Sequence, residues 1–207
     1  MKIVISGVVG VGKSTISNLL ANKYNFHLFE EPVEKNPFLD EFYKNPKKIA
    51  FQMELFMTLM RSQQLNQSKN FNNVIFDRSI LEDPIFVDVL YEMKHLNDTD
   101  YKIYMEFYNE VILNTLKLDK KVKIDKVIYL TASAKTAIDR IEKRGREVEK
   151  NVDNEYWEVL NKHYDLWYKK FKNHFEIIVI DTENKEPDMI ANEIASVIKL
   201  GDLDNEN

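Results

Sequence analysis

Five short apolar runs punctuate the chain: Lys2–Ser6, His27–Glu31, Asn73–Asp77, Lys126–Leu130 and Glu176–Ile180. Their length and near-continuous apolar character predict strands buried on both faces. Longer stretches with helical periodicity separate them. These are Ile16–Tyr24, about Lys47–Lys69, Leu81–Lys94, Asp98–Lys117, Ala134–Gly145, Asn154–Phe171 and Met189–Leu200. Strand alternating with helix predicts an α/β fold, a five-stranded parallel sheet with helices on both faces. Asp98-Thr99-Asp100 is the expected N-cap cluster of its helix. Lys120-Lys121-Val122-Lys123 reads as a solvated turn, and Gly201–Asn207 as a frayed acidic tail. The Met and aromatic residues of the helices read as packing. No repeat or linker divides the chain, so one domain over residues 1–207 is expected.

In such sheets ligands sit at the carboxyl ends of the strands. Polar residues stand there in three places: Ser6-Gly7, Glu31-Pro32 and Asp77-Arg78-Ser79. The first opens Gly7-Val8-Val9-Gly10-Val11-Gly12-Lys13-Ser14-Thr15, between a predicted strand and a predicted helix. This is the spacing of a phosphate-binding loop. Glycines let backbone N–H groups turn toward phosphate oxygens, and the following helix start adds partial positive charge. Lys13 can reach the β- and γ-phosphates, and Ser14 can ligate Mg²⁺. Three of the five glycines lie here, which concentrates a scarce residue where this chemistry needs it.

The other strand ends suit the same chemistry. Asp77 can hold Mg²⁺ directly or through water, and Arg78 can neutralise a transferring phosphoryl group. Glu31 precedes a proline that fixes its direction, and could accept the proton of an attacking hydroxyl. Glu30 adjoins it, and spacing alone leaves either facing the site. Arg140 and Arg144 share a helical face; with Arg146 beyond Gly145 they read as a phosphate lid over about residues 140–151. Glu54 and Arg61 lie seven residues apart, about −20° on a helix at about 100° per residue. If this helix lines a pocket with Arg61, its polar companion is Glu54 and not Gln52.

Composition narrows the partners. The 207 residues carry a net charge of −5, so the overall field gives no sign of nucleic-acid binding. The chain has no cysteine, so disulfides and thiolate zinc sites are excluded. No apolar run approaches the roughly 18 residues of a membrane span, and Met1-Lys2 leads straight into a strand. The expectation is a soluble cytoplasmic protein without a leader.

These motifs, in this order, resemble the deoxynucleoside kinases, most closely the small bacterial and mycoplasmal branch that acts on deoxyadenosine. The likeness covers roughly Lys2 to Tyr168. It rests on the phosphate loop, Glu31-Pro32-Val33, Tyr43 eleven residues before Glu54, Asp77-Arg78-Ser79 with Asp83, and Arg140…Arg144-Gly145-Arg146…Glu149. The resemblance implies transfer of the ATP γ-phosphate, with Mg²⁺, to the 5′-hydroxyl of a deoxynucleoside in nucleotide salvage. The acceptor it implies is a purine: deoxyadenosine, or deoxyguanosine. It implies Glu31 as general base, and Tyr43 and Glu149 at the sugar 3′-hydroxyl. Asp77 would be associated with Mg²⁺, and Arg78 would orient phosphate and base. Arg61 and Asp83 would read the base edge, with Arg140, Arg144 and Arg146 as lid arginines. It also suggests a homodimer built on the helices of Leu81–Leu118. The chain departs from the family at Glu54, where Gln is usual, and in a lid reading Arg-Glu-Val-Glu, where many relatives have two consecutive Glu. Guanine, with two donors, would suit an ionised Glu54 better than adenine does.

Two rival readings make different demands. A nucleoside monophosphate kinase of the thymidylate type needs extra cations for an acceptor phosphate, but Val33-Glu34-Lys35-Asn36 follows Glu31-Pro32. A GTPase-like switch needs Asn-Lys-x-Asp, and Asn22-Lys23-Tyr24-Asn25 and Asn161-Lys162-His163-Tyr164 both lack the Asp.

Overall fold

The structure, a computed structural model, describes residues 1–114, 116, 119–145 and 152–200. Among these, five strands form one parallel sheet: β1 (Lys2–Ser6), β2 (His27–Phe29), β3 (Val74–Asp77), β4 (Lys126–Thr131) and β5 (Ile177–Asp181). The order across the sheet is β2-β3-β1-β4-β5. β1 is therefore central, and Ile3, Val4 and Ile5 are essentially inaccessible. The predicted strands are all found, with shifted ends. β2 stops at Phe29, not at Glu31, because the Glu30 carbonyl accepts from Gln64 Nε2 (2.7 Å) and Pro32 has no N–H. β5 begins and ends one residue later than the periodicity predicts.

The helices follow the expected alternation. α1 (Lys13–Tyr24) starts three residues earlier than predicted, directly on the glycine-rich loop. A short α2 (Leu39–Lys44), preceded by a 3₁₀ turn over Pro32–Lys35, was not expected; six residues carry too little periodicity to be read. α3 (Pro46–Gln67) buries Met53, Glu54, Met57 and Arg61 on one face. The predicted Leu81–Lys94 helix is a 3₁₀ turn (Ile80–Glu82) followed by α4 (Asp83–Glu92). Its opening is a capping box: the Ser79 hydroxyl accepts from the Leu81 N–H, and Glu82 accepts from the Ser79 N–H.

α5 (Asp98–Phe107) is capped by Asn97, not by the Asp98–Asp100 cluster: the Asn97 side chain accepts from the Asp100 N–H at 2.9 Å. α5 then widens into a π-helical turn over Tyr108–Leu113, and helix resumes at Asn114; Thr115, Lys117 and Leu118, at the end of the helix predicted to Lys117, lie outside the described residues. Its aromatic residues are packing, as expected: Tyr104 and Tyr108 are buried and stacked, and the Tyr104 hydroxyl meets Thr58 Oγ1 at 2.5 Å. Lys120–Val122 is a 3₁₀ turn that buries Val122, so this segment is anchored and not wholly solvated. α6 (Ala134–Arg144) ends at Gly145, whose φ of 67° is the left-handed cap the glycine predicts. α7 spans Asn154–Phe171 as read, burying Trp157 and Trp167, and α8 (Pro187–Val197) closes the chain against α1. The acidic tail from Gly201 lies outside the described residues. Among the described residues no helix is long and apolar enough to cross a membrane.

Ile128 in β4 is fully buried at the centre of the sheet. Its replacement by Ala should lower the free energy of unfolding by about 3 kcal/mol, the usual range for a buried branched side chain, as measured by urea denaturation.

Candidate active site

The carboxyl ends of β1, β2 and β3 meet under one cavity of about 1070 Å³, bounded also by α3, α6 and α7. Drug-sized ligands typically occupy about 300–1,000 Å³. A single cavity of this size has room for two reactants side by side. Val9, Gly10, Val11, Gly12, Lys13, Ser14 and Thr15 line one end; Glu31, Tyr43, Glu54, Arg61 and Arg78 line the other.

The phosphate loop takes its shape from residues that tolerate no side chain. A Cβ on Gly7 would lie 2.4 Å from the Leu130 carbonyl oxygen, and one on Gly10 only 2.3 Å from that of Ala137. Both have positive φ, at 139° and 89°. Gly7 and Val8 do not line the cavity themselves, but the Val8 carbonyl accepts from Lys13 Nζ at 2.8 Å. Burial, then the charge of Arg78, pulls Lys13 down to about 7, against Glu31 and Asp77. Ser14 Oγ donates to Asp77 Oδ2 at 2.5 Å. Burial raises the Asp77 carboxyl, and the Lys13 ammonium opposes it. Asp77 Oδ1 is buried without a hydrogen-bond partner. The Ser14 hydroxyl and the Asp77 carboxylate with its orphaned Oδ1 fit a hard divalent cation. Among the described residues there is no cluster of three or more His, Cys, Asp or Glu that could hold a metal. A two-oxygen site of this kind suits Mg²⁺, which takes its other ligands from water and phosphates.

At the acceptor end, Glu30 and Glu31 both border the cavity; Glu30 is exposed, and Glu31 is the one that meets the arginines. Glu31 Oε1 lies 3.0 Å from Arg61 Nη2 and 2.8 Å from Arg78 Nε. Burial works against its charge, but Arg78, Arg61 and Lys13 outweigh that and hold Glu31 down at about 2. Arg78 is fully buried under the rings of Phe86 and Tyr164 and donates to the Gly7 carbonyl at 3.2 Å. Its Nη1 also donates to the Tyr164 hydroxyl, which in turn donates to Glu82 Oε1 at 2.8 Å. Its backbone sits at φ 69°, left-handed for a non-glycine residue.

Arg61 donates to both Glu31 and Asp83 and makes no ion pair with Glu54. Burial opposes its charge, but Asp83 and Glu31 more than compensate. Asp83 is fully buried against Arg61 and does not line the cavity, so it acts on the cavity through Arg61. Glu54 does line the cavity, 5% exposed, whereas Gln52 is exposed elsewhere, as the periodicity predicts. Burial, then the neighbouring Asp83 charge, pushes the Glu54 carboxyl up to about 8.

At the phosphate end, Arg140 and Arg144 both face the cavity. Arg140 is tethered: its Nη1 donates to Thr182 Oγ1 at 3.0 Å and its Nη2 to the Thr182 carbonyl at 2.8 Å. It therefore forms part of the wall and is not a loose lid residue. Arg146 and Glu149, the other expected residues of the 140–151 lid, lie outside the described residues. The sequence reading missed Glu82, Tyr164, Phe86 and Tyr156. Ser79-x-x-Glu82 carried a capping-box signal; the aromatics had none beyond an amphipathic helix.

The family model for deoxynucleoside kinase matches residues 3–199. The chain belongs to the deoxynucleoside kinase family. It is 33% identical to the deoxyadenosine kinase of Lactobacillus acidophilus, covering 86% of this chain and 84% of the relative. It is 31% identical to the deoxyguanosine kinase of Bacillus subtilis, covering 89% and 87%. It superposes on the M. mycoides deoxyadenosine kinase solved with bound dATP, with a TM-score of 0.87, 45% identity, and coverage of 96% and 100%. A deoxynucleoside kinase transfers phosphate from ATP, and its fold is the parallel P-loop kinase sheet described above.

The Glu54 carboxyl is raised on folding, so it costs stability only where the unfolded chain would be ionised. The cost is absent below its ordinary value near 4.5, grows as the pH rises toward about 8, and then levels off. Glu54→Gln removes it. The variant should match the wild type in melting temperature near pH 5 and melt several degrees higher near pH 8; scanning calorimetry at both pH values checks this.

Proposed function

We propose that this deoxynucleoside kinase transfers the γ-phosphate of ATP to the 5′-hydroxyl of a purine deoxynucleoside, deoxyadenosine or deoxyguanosine, in nucleotide salvage. One observation carries the reading of the acceptor. The cavity beside the phosphate loop ends in carboxylates whose arginines are already paired: Arg61 with Glu31 and Asp83, Arg78 with Glu31 and Glu82. A pocket with its cations compensated favours an uncharged sugar alcohol over a nucleotide monophosphate, which counts against the thymidylate-kinase reading.

The roles follow from position. The triphosphate lies along Gly7 to Thr15, with Lys13 at its outer phosphates. Ser14 and Asp77 would hold Mg²⁺, which would supply positive charge to offset that of the phosphates. Glu31, ionised throughout the physiological range, accepts a hydrogen bond from the 5′-hydroxyl and orients its lone pair along the line of attack. A carboxyl held at about 2 is a weak base, so it takes the proton late, as a loose transition state allows. Arg78 and the arginines of α6, with Arg146 beyond it, oppose the charge on the transferring phosphoryl group. Tyr43 and Glu149 hold the sugar 3′-hydroxyl, and Glu54 and Arg61 face the base, with Asp83 orienting Arg61. We place the enzyme in the cytoplasm as a single domain over residues 1–207. Exposed Ile103 and Val111 on the α5 segment support a homodimer through that face.

ADP should form with ATP and a purine deoxynucleoside, and not with the monophosphate in its place. Glu31→Gln, which keeps the shape between the two arginines, should lower kcat well beyond tenfold, more than about 1.4 kcal/mol of barrier. Its KM for ATP should change little; unaltered turnover would refute the assignment. Lys13→Ala should lose turnover and raise the KM for ATP together, both read from initial rates.

A further inference from the structure

The inference rests on the nucleoside-kinase reading and concerns how the site chooses its base. Glu54 stands on the cavity wall two helical turns before Arg61, yet Arg61 cannot neutralise it. One terminal nitrogen of that guanidinium is given to Asp83 and the other to Glu31. Arg78 is committed to Glu31, Glu82 and the Gly7 carbonyl. Among the described residues Glu54 has no hydrogen bond and no ion pair. The ionisable groups that face it come from every surrounding element. They are Arg61 on its own helix, Asp83 at the head of α4, Glu31 after β2, Arg78 after β3, Tyr104 on α5 and Tyr156 on α7, with Tyr43 of α2 beside Tyr156. Burial holds both Tyr104 and Tyr156 in their neutral forms. Glu54 is thus a third carboxyl beside a guanidinium that already serves two.

The two protonation states present different edges. A neutral carboxyl offers one donor and one acceptor; a carboxylate offers acceptors only. The Watson–Crick edge of adenine pairs a donor at N6 with an acceptor at N1. That of guanine offers donors at both N1 and N2. We propose that Glu54 is a proton-operated base selector: its neutral carboxyl accepts from adenine N6 and donates to adenine N1, and its carboxylate accepts from N1–H and N2–H of guanine. A mismatched state leaves two acceptors or two donors facing each other out of water, which is the kind of contact that discriminates strongly. The raised carboxyl, at about 8, puts the changeover just above neutral pH.

The test is the ratio of kcat/KM for deoxyadenosine to that for deoxyguanosine, measured with ATP and Mg²⁺ from about pH 6 to about pH 8.5. The ratio cancels every ionisation the two reactions share, including those of Lys13, Glu31 and ATP. In the wild type it should fall more than about tenfold across this range. In Glu54→Gln, whose amide keeps one donor and one acceptor, it should stay flat and favour deoxyadenosine. A flat wild-type ratio with turnover intact overturns the proposal, as does a slope that persists in the variant. The absence of ADP with either nucleoside at every pH would instead remove the kinase reading itself. Titration calorimetry of the wild type, in two buffers of different ionisation heat, needs no variant. At neutral pH deoxyguanosine should release about one proton on binding and deoxyadenosine none; equal proton release for the two would overturn the proposal.

Discussion

The acceptor end of this molecule depends on one carboxylate held between two guanidiniums. Charges this far from water persist only when they are paired and hydrogen-bonded. Glu31 meets that demand for Arg61 and Arg78 at once, and each arginine brings a second carboxylate, Asp83 from the start of α4 or Glu82 from the turn before it. The pairing ties the end of β2 to α3, to the end of β3 and to the start of α4. Through Tyr164 it also reaches α7. The sheet brings the strand ends together, but it is this set of contacts that fixes where the side chains point.

Much of the architecture is legible in the sequence, because a parallel sheet buried on both faces writes each strand as an unbroken apolar run. The phosphate loop is legible for a different reason: Gly7 and Gly10 are demanded by close backbone approaches that no other residue could make, and Gly12 by its left-handed backbone. Glu54 and Arg61 fall on the cavity side of α3, as helical arithmetic requires. What the sequence hides is pairing across the fold. Seven-residue spacing joined Arg61 to Glu54, yet Arg61 engages Glu31 and Asp83, which lie thirty residues before it and twenty-two after it. Local periodicity carries no information about such partners.

The two ends of the cavity are stiffened by different means. At the acceptor end, stiffness comes from ion pairs in a low-dielectric setting, where a lost partner leaves an uncompensated charge. At the phosphate end it comes from backbone approach and from Arg140 clasping Thr182 after β5. That clasp registers α6 against the far edge of the sheet, so the arginine nearest the loop keeps its place through the scaffold. Both ends are rigid where catalysis by positioning needs them to be.

The left-handed backbone of Arg78 has a consequence for how tightly chemistry can be packed onto one strand. Consecutive residues of a strand point to opposite faces, so a single strand end ordinarily gives a pocket every second side chain. The reversal at Arg78 breaks that rule for one step, and Asp77 and Arg78, neighbours in the chain, both line the same cavity. Asp77 then meets Ser14 of the phosphate loop while Arg78 meets Glu31, from a single peptide unit. The torsion is disfavoured for any residue with a Cβ, by about 1–2 kcal/mol, and a glycine there would relax it. The guanidinium keeps its place because its contacts with Glu31, Tyr164 and the Gly7 carbonyl are worth more than the twist. At this position the backbone serves the side chain.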